Sequence, residues 1–308
     1  MNNNLANKIG IIVLNYRNYE LTKKCVDNLI EIDVRYPIII VDNNSPNESY
    51  KSLSEYYKEI HNVDVIKSKE NKGYADGNNF GAKYLLDKYD EIKYICIMNP
   101  DVIVPYKELF INLANKISNR NDIAAISPMM IVKGKLDSKK MCWSFPNYKS
   151  LVLDHLMFRK KYNTAPMKGI YPDKNGIAIV DVIPGSFFMI KTECLLKINF
   201  LDTGTFLYNE ENILALTLKK LNFKEALSIN DFYYHNHLPS IKSQSLKEKF
   251  NSNRIVYEST KYLQEKYYNN KIVGLALSTC NYINKIYILC GYIPGNIKRK
   301  LAQKRKNK

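Results

Sequence analysis

The first hundred residues alternate between short, mostly apolar runs and segments with helical spacing. Apolar runs of this length predict strands that are buried on both faces of a sheet. The runs are residues 10–14, 37–41, 63–66 and 95–98. Between the first two, apolar residues recur at the spacing of one helix face over residues 19–30. Strands that alternate with helices in this way indicate right-handed βαβ units, so the pattern predicts an α/β fold with a mostly parallel sheet.

Polar residues follow three of these strands at the point where each strand ends. They are Asn15, Asp42 and Asp101. The carboxyl ends of parallel strands share one edge of the sheet, and open α/β sheets bind ligands there. Asp101 comes after Asn99 and Pro100, and a carboxylate at this place suits a divalent cation that also holds substrate phosphates. The alternative is a turn in which Asn99 and Asp101 only bond their own backbone.

The sequence allows two roles for Asp42 as well, one in ligand binding and one in a local turn. Its carboxylate is suited to accept the imide N–H of a uracil or thymine base. The other interpretation is an Asx-type turn from Asp42 to Ser45 that leads into a helix capped by Ser45. The two interpretations are compatible, and the sequence leaves both open.

A glycine-rich loop follows the third strand. It contains Gly73, Gly77 and Gly81 within nine residues and opens a predicted helix. Glycines permit close approach of a ligand to the backbone, and the N–H groups of a helix N-terminus favour phosphate. The spacing is neither G-x-G-x-x-G nor that of a P-loop, so the loop alone does not define the ligand.

Two adjacent acids, Glu210 and Glu211, follow an aromatic run and begin a predicted helix. Glutamate is favourable near any helix N-terminus, so a simple helix start is the alternative to a chemical role. Adjacent helical residues point about 100° apart. We therefore expect only one of the two carboxylates to face a bound substrate.

Charge is distributed unevenly along the 308 residues. The net charge is +16, and residues 242–308 contain 15 Lys or Arg and 3 Glu, which leaves +4 for the first 241 residues. This distribution excludes a protein coated throughout for nucleic acid and indicates a near-neutral domain with a basic tail. The six cysteines form no CxxC pair, which favours reduced thiols. The polar start of the chain lacks an apolar signal core, so we expect a cytoplasmic protein.

We predict two domains, residues 1–240 and residues 241–308. In the second, residues 246–268 have the pattern of an amphipathic helix, and the apolar stretch 272–293 is interrupted by two asparagines and Lys285. A spanning helix needs ~20 mostly apolar residues, and a central lysine costs roughly 2.5–3.5 kcal/mol. We therefore favour a helix in the membrane interface, followed by basic residues that each contribute about 1 kcal/mol on anionic lipid. Nucleic acid is the competing partner, but no base-reading motif accompanies the tail.

Several motifs occur together in a characteristic order. They are Asn15-Tyr16, the segment Val41-Asp42-Asn43-Asn44-Ser45, the glycine-rich loop from Asn71 to Gly81, and Asn99-Pro100-Asp101. In this combination the chain resembles glycosyltransferase family 2, the inverting enzymes of GT-A fold, and within it the rhamnosyltransferase-like branch that builds bacterial surface polysaccharides. The resemblance covers roughly residues 9–237. It implies a doubly wound sheet, a nucleotide-sugar donor linked to UDP or dTDP, and a lipid-linked or growing glycan acceptor at the inner face of the plasma membrane.

The resemblance also assigns roles to individual residues. It implies that a divalent metal, Mn²⁺ or Mg²⁺, is held by Asp101 and completed by His235 or His237, although a structural imidazole is the competing view for each histidine. It makes Glu211 the catalytic base, supported by Glu210. The residues implied in donor and nucleotide binding are Asn15, Asp42, Asn44, Gly73, Tyr74, Gly77, Asn79, Asn99, Gly185 and Ser186.

Three departures from the family pattern bear on activity. Asn99 replaces the first acid of the DXD motif, Glu211 stands where the family has aspartate, and Ile213 and Thr217 replace an acid and an arginine. The main hypothesis is an inverting sugar transferase. The alternative is a non-catalytic subunit that scaffolds a polysaccharide assembly, and a nucleotidyltransferase fits the glutamate pair poorly.

Overall fold

The computed structural model describes residues 5–137, 140–156, 169–236 and 245–306, without the side chains of Ala6 and residues 291–306. The described residues form two compact units. The first comprises described residues up to 145, together with 169–206 and 210–236, and the second comprises 146–156, 207–209 and 245–306. The domain boundary at residue 240 stays a prediction.

The first unit contains all the strands of the described chain. They are β1 Ile9–Asn15, β2 Ile38–Asp42, β3 Val63–Lys67, β4 Tyr94–Met98, β5 Val102–Ile103, β6 Ile123–Val132, β7 Lys135–Leu136, β8 Ile177–Val180, β9 Phe187–Lys191 and β10 Lys224–His235. A short 3₁₀ turn, Ala6–Lys8, precedes β1. The helices of this unit are α1 Tyr19–Glu31, α2 Ser49–Tyr57, α3 Tyr74–Lys88, α4 Glu108–Ser118, α6 Thr192–Lys197 and α7 Glu210–Lys220.

These strands form one sheet in the order β3-β2-β1-β4-β9-β6-β10-β5, with β7 beside β6 and β8 beside β10. Strands β1 to β4, β6 and β10 run in one direction, and β5, β7, β8 and β9 run against them. The prediction of a mostly parallel α/β sheet is therefore confirmed. The reversed strand β9 lies between β4 and β6 and begins directly after Ser186, so it returns the chain to the edge where β4 ends.

Two glycines of α3 explain how closely this helix packs on the sheet. A Cβ atom added to Gly77 would lie 2.5 Å from a methyl carbon of Leu14 on β1. A Cβ atom added to Gly81 would lie 2.7 Å from a methyl carbon of Val41 on β2. These two glycines therefore allow α3 to pack closely on the sheet, and a ligand contact of their backbone stays a prediction.

The side chain of Asn79, also on α3, joins distant parts of the first unit. Its Nδ2 donates to the carbonyl oxygen of Leu201 at 2.7 Å, and its Oδ1 accepts from the N–H of Leu201 at 2.9 Å. Both polar atoms of the amide are thus used inside the protein. A donor contact of Asn79 stays a prediction, and the geometry assigns this side chain a structural role.

The second unit is helical in its described residues. It contains α5 Tyr148–Leu153, α8 Leu246–Leu263 with a π-helical turn at Gln264–Tyr268, and α9 Lys271–Lys306. The amphipathic helix expected at residues 246–268 is therefore present. The apolar stretch 272–293 lies within α9, whose backbone continues through Pro294 and Gly295 to Lys306.

Further details differ from the sequence expectations. The apolar residues 177–180 form β8, and the strand ends at Val180 although Val182 and Ile183 are also apolar. Helix α2 begins at Ser49 and not after a cap at Ser45, because Ser45 uses its hydroxyl to accept the N–H of Arg17. All six cysteines are free thiols, as predicted.

Replacing Asn79 with alanine tests its structural role. The Asn79→Ala change leaves the N–H and the carbonyl of Leu201 buried without their partner, so we expect the free energy of unfolding to fall by roughly 2–4 kcal/mol. Urea denaturation measures this change. The matched control is Asn115→Ala on the exposed side of α4, for which we expect a change within about 0.5 kcal/mol. Equal stabilities of the two variants would contradict this role.

Candidate active site

The ends of β1 and β2 are joined by a buried polar network. Asn15 donates from Nδ2 to Oδ2 of Asp42 at 2.7 Å, and Asn15 Oδ1 accepts from the hydroxyl of Thr22 at 2.8 Å. The other oxygen of Asp42 accepts the backbone N–H of Ser45 at 2.8 Å, which is the local turn expected from the sequence. Asp42 is fully buried. A nucleobase therefore reaches its carboxylate only if neighbouring groups move, and the base contact stays a prediction.

The loop before α3 is fixed by amide side chains. Asn43 donates from Nδ2 to the carbonyl oxygen of Gly73 and to Oδ1 of Asn71, both at 3.0 Å. Gly73 has a φ of +108°, and a Cβ atom there would lie 2.1 Å from the carbonyl oxygen of Phe206. Glycine is thus required at this position by a neighbouring backbone group. Asn44, which was predicted to bind the donor, is half-buried with a φ of +53°.

The edge continues from β4 to the start of β9. The N–H of Asn99 donates to the carbonyl oxygen of Ser186 at 2.8 Å. The hydroxyl of Ser186 lies 2.7 Å from the hydroxyl of Tyr233 on β10, and burial raises the pKa of Tyr233 well above its usual range. The structure therefore brings Asn99, Gly185 and Ser186 to one edge, although they are distant in sequence.

Asp101 lies at this edge beside His235. The Nε2 atom of His235 is 3.1 Å from Oδ1 of Asp101, and the N–H of Asn236 donates to the carbonyl oxygen of Asp101. Antiparallel pairing of β5 with β10 produces this approach, because Val102 is the register partner of His235. Burial raises the pKa of the nearby Cys25 thiol to about 12, and the negative charge of Asp101 adds to the shift.

The carboxylate oxygen of Asp101 and the imidazole nitrogen of His235 are suitable donors for a divalent metal. Among the described residues, no cluster of three or more His, Cys, Asp or Glu is placed to hold a metal. The pair fits a cation that takes one or two protein ligands and completes its shell with substrate phosphates and water. His237, the other histidine predicted here, lies outside the described residues.

Glu211 is held against the segment that leads into β9. Its Oε1 accepts the N–H of Gly185 at 3.4 Å, while the hydroxyl of Tyr74 donates to the carbonyl oxygen of Gly185 at 2.6 Å. Burial raises the pKa of Glu211 above that of an ordinary glutamate. The same cause, followed by the charges of Glu211 and Glu210, raises the pKa of Tyr74.

Both glutamates border one small cavity, together with Tyr74 and Gly185. The helix begins at Glu210 itself, so both glutamates belong to its first turn. Which of the two carboxylates faces a bound substrate stays a prediction.

Glu225 was not identified from the sequence. It is 2% exposed on β10, and its Oε2 accepts the N–H of Ile183 at 2.9 Å. Burial raises its pKa well above the usual range, and the charges of Glu211 and Asp181 add to the shift. The one signal in the sequence is an acid directly before the mostly apolar residues 226–229, whose strand character had not been predicted.

Known proteins were compared with the chain. A family model described as "Glycosyl transferase family 2" matches residues 10–175. The rhamnosyltransferase WbbL of Escherichia coli K12 is 25% identical over 235 residues, covering 74% of this chain and 84% of the relative. The low-salt glycan biosynthesis hexosyltransferase Agl10 of Haloferax volcanii is 25% identical over 207 residues, covering 67% of this chain and 60% of the relative.

Solved structures share the fold at low identity. GalNAc-T7 with UDP, GalNAc and Mn²⁺ has a TM-score of 0.57 at 15% identity, and the match covers 84% of this chain but about half, 51%, of that one. The mannosyltransferase PcManGT from Pyrobaculum calidifontis, in complex with GDP-Man and Mn²⁺, has a TM-score of 0.53 at 14% identity, with 94% of this chain and 75% of that chain covered. The sheet is that of the predicted GT-A fold. Because the family model covers more than half of the sequence, the chain belongs to glycosyl transferase family 2.

Proposed function

We propose that the chain is an inverting glycosyltransferase that moves a sugar from a UDP- or dTDP-linked donor to a glycan acceptor in cell-surface polysaccharide synthesis. The observation that carries the proposal is the shared edge of the sheet, which brings the Asp101–His235 pair and Glu211 to one region through Ser186 and Gly185. The similarity to WbbL and to Agl10 supports a role in glycan assembly. An acceptor from a capsule or an O-antigen, lipid-linked or growing, is part of the proposal.

The donor diphosphate requires positive charge at the edge of the sheet. Asp101 and His235 are the residues that would hold a divalent metal, which when bound neutralises the charge that develops on the departing diphosphate. Two solved structures of this fold, GalNAc-T7 and PcManGT, contain Mn²⁺, and this supports the choice of metal. The base and ribose would lie towards the ends of β1 and β2, near Asn15 and Asp42.

Glu211 is proposed as the general base. In the transfer step its carboxylate takes the proton of the acceptor hydroxyl while the acceptor oxygen bonds to the anomeric carbon. The bond from that carbon to the phosphate oxygen breaks, and the nucleoside diphosphate leaves with the electron pair. A single displacement inverts the anomeric centre, so no nucleophile from the enzyme is needed. The raised pKa of Glu211 makes its carboxylate a stronger base.

A peripheral attachment to anionic membrane is also proposed, through α9. One helix, over Lys271–Cys290, has the length and mean hydropathy, 1.2, that membrane-crossing helices have, and 28% of that stretch is buried. Asn284 is buried within the second unit, where it donates to the carbonyl oxygen of His155 and to Oδ1 of Asn253. Asn281 accepts from Asn253. The asparagines that interrupt the apolar stretch therefore point into the unit.

The opposite face of α9 is apolar and exposed. Ile272 is 79% exposed and Leu275 71% exposed. The other large apolar residues exposed on this helix are Tyr282, Ile283, Ile286, Tyr287 and Leu289. A helix with one face packed on protein and an apolar face outside suits the membrane interface better than a full crossing. The basic residues that end the chain complement anionic lipid.

Glutamine substitutions test the base. We expect Glu211→Gln to lower kcat by roughly 10²–10⁴-fold with little change in donor affinity, because general-base catalysis typically contributes that factor. Glu210→Gln, the matched variant, should lose much less of its kcat.

The pH dependence of the wild-type rate also tests the base. A base works in its ionised form, so the rate should fall as the pH drops through the raised pKa of Glu211. This fall should occur at a higher pH than for an ordinary glutamate. Loss of turnover in Glu210→Gln alone would reverse the assignment, and no transfer by wild-type protein would favour the scaffold.

Vesicle co-sedimentation tests the attachment of α9. We expect Leu275→Asp to bind phosphatidylglycerol vesicles at least about tenfold more weakly at low salt, because it removes apolar area and adds a repelled charge. The control is Tyr171→Asp, which makes the same charge change at a residue that is 84% exposed on the first unit. Equal binding by these two variants would contradict a role for this face.

A further inference from the structure

The chain enters α7 through two residues in an unfavourable backbone conformation. Tyr208 has a φ of +77° and Asn209 a φ of +66°, and Glu210 follows directly. The left-handed region is uncommon for residues with a Cβ atom and more so for a bulky one such as tyrosine. Such a conformation persists only where surrounding groups hold it. The groups that hold Tyr208 and Asn209 therefore affect the positions of Glu210 and Glu211.

These groups belong to α8 of the second unit. The hydroxyl of Ser259 lies 3.0 Å from the carbonyl oxygen of Leu207 and 2.5 Å from that of Tyr208, within reach of both. Asn209 donates from Nδ2 to the hydroxyl oxygen of Thr260 at 3.2 Å. That hydroxyl is itself oriented, because it donates to the carbonyl oxygen of Val256 at 2.8 Å.

The hydroxyl-bearing residues of α8 are buried where they contact the segment. Ser259 is 2% exposed and Thr260 7%, whereas Leu207 is 38% and Tyr208 47% exposed. The two hydroxyls thus form buried hydrogen bonds with the backbone of residues 207 and 208 and with the side chain of Asn209.

We propose that Ser259 and Thr260 are positioning residues for the glutamate pair. By fixing residues 207–209, they set the direction in which the chain starts α7 and with it the place of Glu211. Immediately before the segment, the carbonyl oxygen of Phe206 accepts the N–H of Tyr74 at 3.0 Å, so the chain is also held at residue 206. This inference rests on the proposed function for its catalytic consequence.

If Ser259 and Thr260 position the glutamate pair, their loss should change kcat and the donor KM differently. The residues proposed for the donor diphosphate, Asp101 and His235, are not part of this segment. Loosening residues 207–209 should thus lower kcat and leave the KM for the donor nearly unchanged. A variant that merely unfolds a fraction of the molecules also lowers kcat, so amide exchange and a rescue variant are needed.

The experiment compares Ser259→Ala with Ser118→Ala in the full chain. Ser118 is the matched control, because its hydroxyl also donates to a backbone carbonyl oxygen, that of Asn115, far from the segment in sequence. The probe is release of nucleoside diphosphate from UDP-glucose, UDP-galactose, UDP-N-acetylglucosamine and dTDP-rhamnose, with the best substrate of the wild type used throughout. Hydrogen–deuterium exchange of amides 207–211 is measured in parallel.

We expect Ser259→Ala to lower kcat at least tenfold, to leave the donor KM within about twofold, and to speed exchange at residues 207–211. Thr260→Val should act in the same direction and Thr260→Ser should restore the rate, because serine keeps the hydroxyl. Adding Asn209→Gly to Thr260→Val should recover part of the loss, since glycine adopts a positive φ without a partner. Equal kcat in Ser259→Ala and Ser118→Ala would overturn the proposal, even if exchange were faster.

Failure of the proposed function has a different signature. If wild-type protein releases no nucleotide from any of the four donors, the sugar-transfer proposal fails for them. The exchange data then decide the structural part of the inference. Faster exchange at residues 207–211 in Ser259→Ala, but not in Ser118→Ala, supports the hold by α8, and unchanged exchange overturns it.

Discussion

One backbone hydrogen bond joins the two halves of the candidate site. The N–H of Asn99, at the end of a parallel strand, donates to the carbonyl oxygen of Ser186, at the start of the reversed strand β9. Asp101 follows two residues after Asn99, and Gly185, which meets Glu211, comes one residue before Ser186. The acid proposed for the diphosphate side and the acid proposed for the acceptor side are thus tied to the same edge through main-chain geometry. The bond uses the main-chain N–H of residue 99 and not the amide side chain of Asn99.

The two acids lie in different surroundings, and this suits different roles. Asp101 faces the imidazole of His235, a pairing that is compatible with a bound cation. Glu211 lies among Gly185, Tyr74 and apolar residues, where burial raises its pKa. Environments that separate the proton affinities of two carboxylates are a general way to assign one to charge stabilisation and the other to proton transfer.

Strands β1, β2 and β4 of the first unit were predictable because they are apolar along nearly their whole length. A parallel strand buried on both faces leaves a continuous run such as residues 95–98, and the polar residue after it marks the ligand-binding edge. The reversed strand β9 is apolar as well, and its direction depends on pairing with β4 and β6, which local sequence does not encode. The role of Glu225 was missed for the same reason, since its partner Ile183 is 42 residues away.

The glycines and asparagines have contacts that residue type alone does not predict. Gly77 and Gly81 allow α3 to lie on the sheet, in addition to the ligand contact that the sequence predicts. Asn281 and Asn284 interrupt the apolar pattern of a helix, and they form hydrogen bonds inside the second unit. Each of these residue types is compatible with more than one role, so these contacts become visible only when the neighbours in space are known.

The central claim is that Asp101 makes donor binding depend on a divalent metal, and isothermal titration tests it most directly. UDP and dTDP are titrated into wild-type protein, Asp101→Asn and the control Asp87→Asn, an exposed acid on α3, each with Mn²⁺ and with EDTA. The account predicts that Mn²⁺ tightens binding of at least one nucleotide about tenfold or more in the wild type and in Asp87→Asn. In Asp101→Asn this gain disappears while the thermal unfolding temperature is unchanged. The same gain from Mn²⁺ in all three proteins would contradict the claim.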